Sequence, residues 1–205
     1  MKGDPEAILE FWFGAAAHDP AQAAARAGLW FGSSAETDAL IRERFTPVVE
    51  AAARGELAPW ARAPRSALGL VVLLDQFSRN IWRGTARAFA HDPQALAVAQ
   101  ASVASGDLEQ LEPVEQMFLV LPYEHSESLE HQRTSVGLFT QIATAAPPTW
   151  RRLVEGSLKF AAQHLALIER FGRFPHRNFV LGRESTAEEE AYLRAGGATF
   201  GQGGR

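Results

Sequence analysis

Cysteine is absent from this chain of 205 residues. That excludes disulfides, thiolate metal sites and cysteine nucleophiles together, and it fits a cytoplasmic location. No run approaches the ~18 uncharged apolar residues of a membrane span. No apolar stretch follows Met1-Lys2-Gly3-Asp4-Pro5, so a signal peptide is not expected either. Gly-x-Gly-x-x-Gly and Walker-type loops are missing, which removes dinucleotide-binding and P-loop readings. Hairpin dipeptides such as Asn-Gly are missing too. Basic excess is lacking: Lys and Arg number 20 against 24 Asp and Glu, a formal charge of −4. A nucleic-acid partner held by bulk charge is therefore not expected. Lysine occurs only twice, so nearly every cation is an arginine, whose planar fork suits carboxylates and phosphates.

What is present is an ordinary globular composition, 46% hydrophobic and 21% charged. A chain of this length buries about 70% of its unfolded surface and needs no staples. Helix punctuation recurs along it. Asp4-Pro5 opens an apolar helix that Gly14 closes, and Asp19-Pro20 and Asp92-Pro93 are further helix starts. Ser33 with Glu36 forms a capping box for a helix running to Arg54 and stopped by Gly55. Ala67 to Phe77 is almost wholly apolar and has no partner strand of similar quality, so it predicts the central buried helix. Pro113 starts a short helix broken at Pro122. Ser126 opens one to about Ala145, and Thr149 caps a long one that Gly172 ends. Thr186 and Glu189 form a second capping box for a last helix to Ala195. The expected fold is all-α, a compact stack of eight or nine antiparallel helices. It forms a single domain over 1–195, followed by a flexible Gly-rich tail over 196–205.

Two segments echo each other: Leu73-Leu74-Asp75-Gln76-Phe77 with Arg79-Asn80, and Leu167-Ile168-Glu169-Arg170-Phe171 with Arg177-Asn178. Each acid has an arginine four residues on, Asp75 with Arg79 and Glu169 with Arg173, on one helix face. A duplicated helix–loop–helix unit would explain this, as would chance in an arginine-rich chain. Asn80 reads as a helix C-cap and Arg79 as the partner of Asp75. The competing reading brings Arg79, Asn80, Arg177 and Asn178 together in one polar cleft.

The stretch from Arg170 to Arg183 carries Arg170, Arg173, His176, Arg177 and Arg183, interleaved with Phe171, Phe174 and Phe179. It suits an anionic ligand, or it closes as a surface loop on Glu184, Glu188, Glu189 and Glu190. After Pro122, Glu124 or Glu127 beside His125 has the composition of a general acid and base, whereas Ser126 is better explained as an N-cap than as a nucleophile. Glu127 and His131, at i and i+4, with His125, His164 or His176 make only a generic metal set without a His-Glu-x-x-His pattern, and no metal or cofactor is expected. His164 reads as a partly buried, hydrogen-bonded histidine. Trp30-Phe31-Gly32 reads as a linker, and Trp12, Phe13, Trp60 and Trp82 as core or groove anchors.

The blocks Asp75-Gln76-Phe77-Ser78-Arg79-Asn80, Pro122-Tyr123-Glu124-His125-Ser126-Glu127 and Arg170 to Asn178 with Leu181 to Thr186 resemble the signatures of the largely bacterial domain-of-unknown-function family 924. Ser78 stands where that family usually has Pro, and Gln116 where Arg usually follows Glu115. The latter weakens any anion site near 115–116. The resemblance implies an all-α fold similar to tetratricopeptide-type helical domains, with no established activity and so no catalytic residues to carry over.

The leading functional expectation is a binding module with a cationic cleft for a small anion or an acidic peptide terminus. Its expected residues are Arg79, Asn80, His125, His176, Arg177, Asn178 and Arg183. The alternatives are a hydrolase or lyase using Glu124 or Glu127 with His125, and a stacked-helix interaction scaffold.

Overall fold

The computed structural model describes residues 3–202, which hold helices and no strand. The helices are α1 (Pro5–Trp12), α2 (Pro20–Phe31), α3 (Ala35–Ala53), α4 (Pro64–Val71), α5 (Ser78–Ile81), α6 (Asp92–Ala104), α7 (Pro113–Glu124), α8 (Leu129–Ala145), α9 (Pro148–Phe171) and α10 (Ala187–Arg194). A π-helical turn, Val72–Phe77, joins α4 to α5 in one continuous rod. This rod is the central helix that the apolar run predicts. It is buried from Ala67 to Ile81, polar residues included, and packs against α1, α3, α6 and α7. α7, α8 and α9 pack in sequence beside it.

The core is aromatic where the elements cross. Phe118 of α7 meets Trp12, Phe13 and Trp30 edge-on, at centroid distances of 5.8, 5.2 and 5.2 Å. Such edge-to-face geometry places positive ring edges on negative ring faces. Trp30 Nε1 donates to the Trp12 carbonyl at 2.9 Å, which pins α2 over α1.

Several boundaries depart from the sequence expectations. Trp30-Phe31 is no linker but the last turn of α2. Ser34, rather than Ser33, caps α3, accepting from Thr37 N at 3.3 Å. Ser128, rather than Ser126, caps α8. No side chain caps α9, which starts with Pro148 at its first turn. Pro122 does not break α7, which continues to Glu124 with both faces buried. Packing there outweighs the local proline penalty of about 3 kcal/mol. The capping box of Thr186 and Glu189 forms as the sequence predicts.

The echo does not extend to its second ion pair. Asp75 and Arg79 meet at 2.9 Å, but Arg173 turns to Glu189 at 2.7 Å, and Glu169 is exposed. Of the Gly-rich tail over 196–205, residues 203–205 lie outside the described residues, and Phe200 to Gln202 line a cavity. Arg83 Nη1 and Ser33 Oγ both donate to the Gly201 carbonyl, and Phe200 stacks on His164 at 3.6 Å.

Candidate functional site

α2, the π turn with α5, α7, α9, the 175–177 turn and the C-terminal segment enclose one cavity of about 730 Å³. Its wall is largely apolar. α2 gives Ala24, Ala27 and Trp30; α7 gives Met117, Phe118 and Leu121; α8 and α9 give Phe139 and Leu153. Phe31 and Phe160, 52% and 55% exposed, also line it and mark its opening. Glu124 and His125 lie one to two turns beyond Phe118 on α7, and His164 lies about 16 Å along α9 from Leu153 at 1.5 Å per residue. Gln76, Arg79, Asn80, Glu124, His125, His164, His176 and Arg177 therefore gather toward one end, while Thr149, Arg152 and Ser157 lie beside Leu153 at the other.

Asp75 organises that end. It is fully buried, and its Oδ1 lies 2.7 Å from His125 Nδ1 and 2.9 Å from Arg79 Nη1. Burial opposes ionisation, but Arg79, His125 and the Gln76 amide together hold the carboxyl well below its usual range. An ionised carboxylate only accepts, so His125 carries its proton on Nδ1. Burial and then Arg79 lower the His125 pKa. The ring is thus neutral at pH 7, with Nε2 as the unprotonated nitrogen. Beside it, Glu124 Oε1 lies 3.1 Å from His164 Nδ1, while Oε2 is buried without a partner. Burial, reinforced by Asp75, pushes Glu124 up to about 8. His164 Nδ1 also lies 2.9 Å from the Phe160 carbonyl, and burial drives this histidine well below its usual pKa. Gln132 Nε2 donates to the carbonyls of Glu124 and Ser126, at 2.5 and 2.6 Å, and holds the corner after α7.

Two arginines that are distant in sequence meet here. Arg79 forks on Asp92 with bonds of 2.9 and 3.0 Å. Arg177 reaches the same carboxylate with Nη1 at 3.5 Å, and its buried Nε has no partner. Its guanidinium lies 4.5 Å from the ring centroids of both Phe89 and Phe174, so its plane is set by aromatic contacts. Burial outweighs Asp92 and, with Arg79, lowers Arg177 to about 10. It stays charged at pH 7 and is under-compensated. His176, brought down to about 3 by burial and then Arg177, is neutral, and its Nδ1 is buried without a partner.

Of the residues the sequence proposes, Arg79, Asn80, His125, His176 and Arg177 line the cavity, as does Glu124. Asn80 donates to Asp38 at 2.8 Å. Asn178, Arg183 and Glu127 lie outside the lining. Asn178 donates to Ser185 Oγ. Arg183 forks on Glu127 at 2.7 and 3.0 Å, and Glu127 also accepts from Phe174 N at 2.8 Å. These three fold the 172–186 loop and hold His176 and Arg177 in position. The basic stretch divides: Arg170 and Arg173 close outward on Glu188 and Glu189, while Arg177 points inward. The positive excess expected of the cleft is offset by Asp75 and Asp92. Sequence reasoning did not assign Asp92 and Phe200 to the site. Asp92-Pro93 signals only a helix start, and nothing local in the tail signals Phe200. Nor does spacing disclose that Glu124, His125 and His164 come together, since Glu127 and His131 were the pair it suggested.

Among the described residues no helix is long and apolar enough to cross a membrane. Residues 8–197 match the model of a family described as bacterial protein of unknown function, DUF924. The chain is also similar to the solved structure of protein of unknown function ATU0120 from Agrobacterium tumefaciens. That similarity is 34% identity over 93% of this chain and 97% of that one, with a TM-score of 0.78. The comparison with curated proteins finds no match.

Proposed function

The chain belongs to the DUF924 family, whose description names no activity, so we propose its function from the cavity: it binds a small amphipathic acid, with the apolar body along the α2–α7–α9 wall and the anionic head on Arg177 and His176. One observation carries this reading. A mostly apolar cavity of about 730 Å³ ends at buried nitrogens, Arg177 Nε and His176 Nδ1, that have no hydrogen-bond partner. Buried polar groups are seldom left unpaired, and each orphan costs about 1–3 kcal/mol. The volume is that of ordinary small-molecule pockets, which are apolar with few polar anchors. The aromatic opening at Phe31 and Phe160 favours a guest with an apolar body over a bare inorganic anion.

The test is calorimetric titration of chelator-treated protein with alkyl and aryl carboxylates of increasing length, beside matched alcohols and amines. Carboxylates should bind saturably and raise the Tm. Arg177→Gln should weaken them about 10- to 100-fold, the ~1.5–3 kcal/mol of a charge-assisted bond, while shifting the Tm of free protein by only a few degrees. Equal affinity for amines and carboxylates would sink the reading.

A second reading, a hydrolase or lyase, is favoured by the Asp75–His125 contact of 2.7 Å beside Glu124. A neutral imidazole held by a carboxylate is a ready base, and a neighbouring carboxyl that holds its proton is a ready acid. An unbiased metabolite screen showing no conversion that depends on His125 would count against it.

A further inference from the structure

We propose that Glu124, His125 and His164 form a site for one divalent first-row transition-metal ion at the polar end of the cavity. The inference does not rest on the amphipathic-acid reading.

One donor atom from each of the three side chains lies within 4.8 Å of the others. Metal bonds of about 2.0–2.1 Å place donors roughly 3–3.5 Å apart, so side-chain rotations of about an ångström close the set. Glu124 Oε1 is already 3.1 Å from Nδ1 of His164, the ring nitrogen through which His164 would ligate. A second, independent observation points to a missing partner. Glu124 is 4% exposed, lines the cavity, and has a buried Oε2 with no hydrogen bond.

His125 also has the outer support that a ligating imidazole requires. Asp75 takes Nδ1 of His125 at 2.7 Å. A contact of this kind fixes the tautomer and leaves Nε2 for a metal. Asp75 is too deeply buried, and too fully engaged with Arg79, Gln76 and His125, to be a ligand itself.

The electrostatics permit a dication. In formal charge Asp75 and Asp92 balance Arg79 and Arg177, although Arg177 lies 3.5 Å from its acid, so an ionised Glu124 leaves one net negative charge. Two imidazoles and one carboxylate, with no thiolate, are the donor set of zinc and of non-haem iron or manganese sites rather than of calcium or magnesium. Three protein ligands at the edge of a cavity leave coordination positions open toward it. Glu127 and His131 stay apart: Glu127 is held by Arg183 and Phe174, and His131 by Ser126.

The probe is Co²⁺ added to the full chain after chelator treatment, with no organic ligand present. The expected result is one Co²⁺ per chain, with the visible d–d bands of a nitrogen-ligated ion, displaced by Zn²⁺. His125→Asn and His164→Gln should each abolish this spectrum, and Asp75→Asn should weaken affinity about 10- to 100-fold. If those variants fail to fold, the wild-type protein decides. Bound Co²⁺ should shift the ring-proton resonances of His125 and His164 and leave those of exposed His18 in place. Absence of a saturable spectrum in folded wild-type protein overturns the proposal, as does a spectrum that survives in folded His125→Asn, or paramagnetic shifts at His18 instead. Carboxylate binding in the presence of chelator reports on the guest reading alone, so the two fail separately.

Discussion

Asp75 shows how one side chain takes its role from its surroundings. As a sequence position it is an acid four residues before an arginine, and that spacing reads as a helix-face pair. In the fold it touches Arg79, His125 and Gln76 and has no solvent-exposed surface. Asp75→Asn removes the charge that compensates a buried arginine. It should cost about 3–5 kcal/mol, measured by urea denaturation at neutral pH; a loss below ~1 kcal/mol would mean that Asp92 alone satisfies Arg79.

Glu189 is the matching case at the outer loop. Arg173 hydrogen-bonds it at 2.7 and 2.8 Å and lowers its pKa from 4.5 to about 2. A carboxyl depressed in the folded state stabilises the fold above its unfolded pKa, and that contribution disappears as pH falls toward the folded value. Glu189→Gln should therefore lower stability at pH 6 and flatten its decline between about pH 4.5 and 2. A slope equal to that of the wild type would remove this residue from the acid response.

Elements were legible where punctuation is local. Asp4, Asp19 and Thr186 cap as their spacing predicts. Thr186→Ala should cost about 1 kcal/mol and lower the Tm by about 2–4 °C, with faster amide exchange confined to α10 and the 172–186 loop. Loss of protection spread evenly over α3 and α4 would contradict that local role. Where tertiary packing decides, the same rules misplaced boundaries. Pro122 sits inside α7 because burial on both faces holds the helix through it. The apolar run of α4 carries no sign of its π turn at Val72–Phe77, which directs Asp75 and Gln76 inward. π turns arise from global fit and recur at functional sites.

The cavity takes its wall from elements far apart in the chain, from α2 to the segment ending at Gln202. α2 supplies Trp30 and Phe31 to the wall, with Trp12 and Phe13 packed against the same Phe118, and the segment ending at Gln202 supplies Phe200 over His164. A chain ending at Gly197 should lose the contacts that Phe200 makes with His164 and Phe174. The expected cost is about 1–2 kcal/mol of stability, and the dissociation rate of any carboxylate that binds the full chain should rise. If truncation leaves stability and off-rate unchanged, the C-terminal segment is no part of the cavity wall. The scale of the pocket also explains why its charge differs from the expected cationic cleft. Asp92, near the middle of the chain, meets arginines from both halves and offsets them.

Composition and periodicity alone settled that this is an all-helical chain around one apolar rod, because helix caps, breakers and apolar runs act over a few residues. The repeated Arg-Asn pair also marked Arg79 and Arg177, and the polar stretch after Pro122 and the cationic stretch after Arg170 marked His125 and His176, since charged and aromatic residues packed into short stretches stand out against helical periodicity. Which of those face a common hollow, which are held as struts like Asn178 and Arg183, and that Glu124, His125 and His164 converge, was decided only by the packing of α7, α9 and the tail. Contacts between residues tens of positions apart depend on how whole helices cross, and no short window of sequence encodes that crossing.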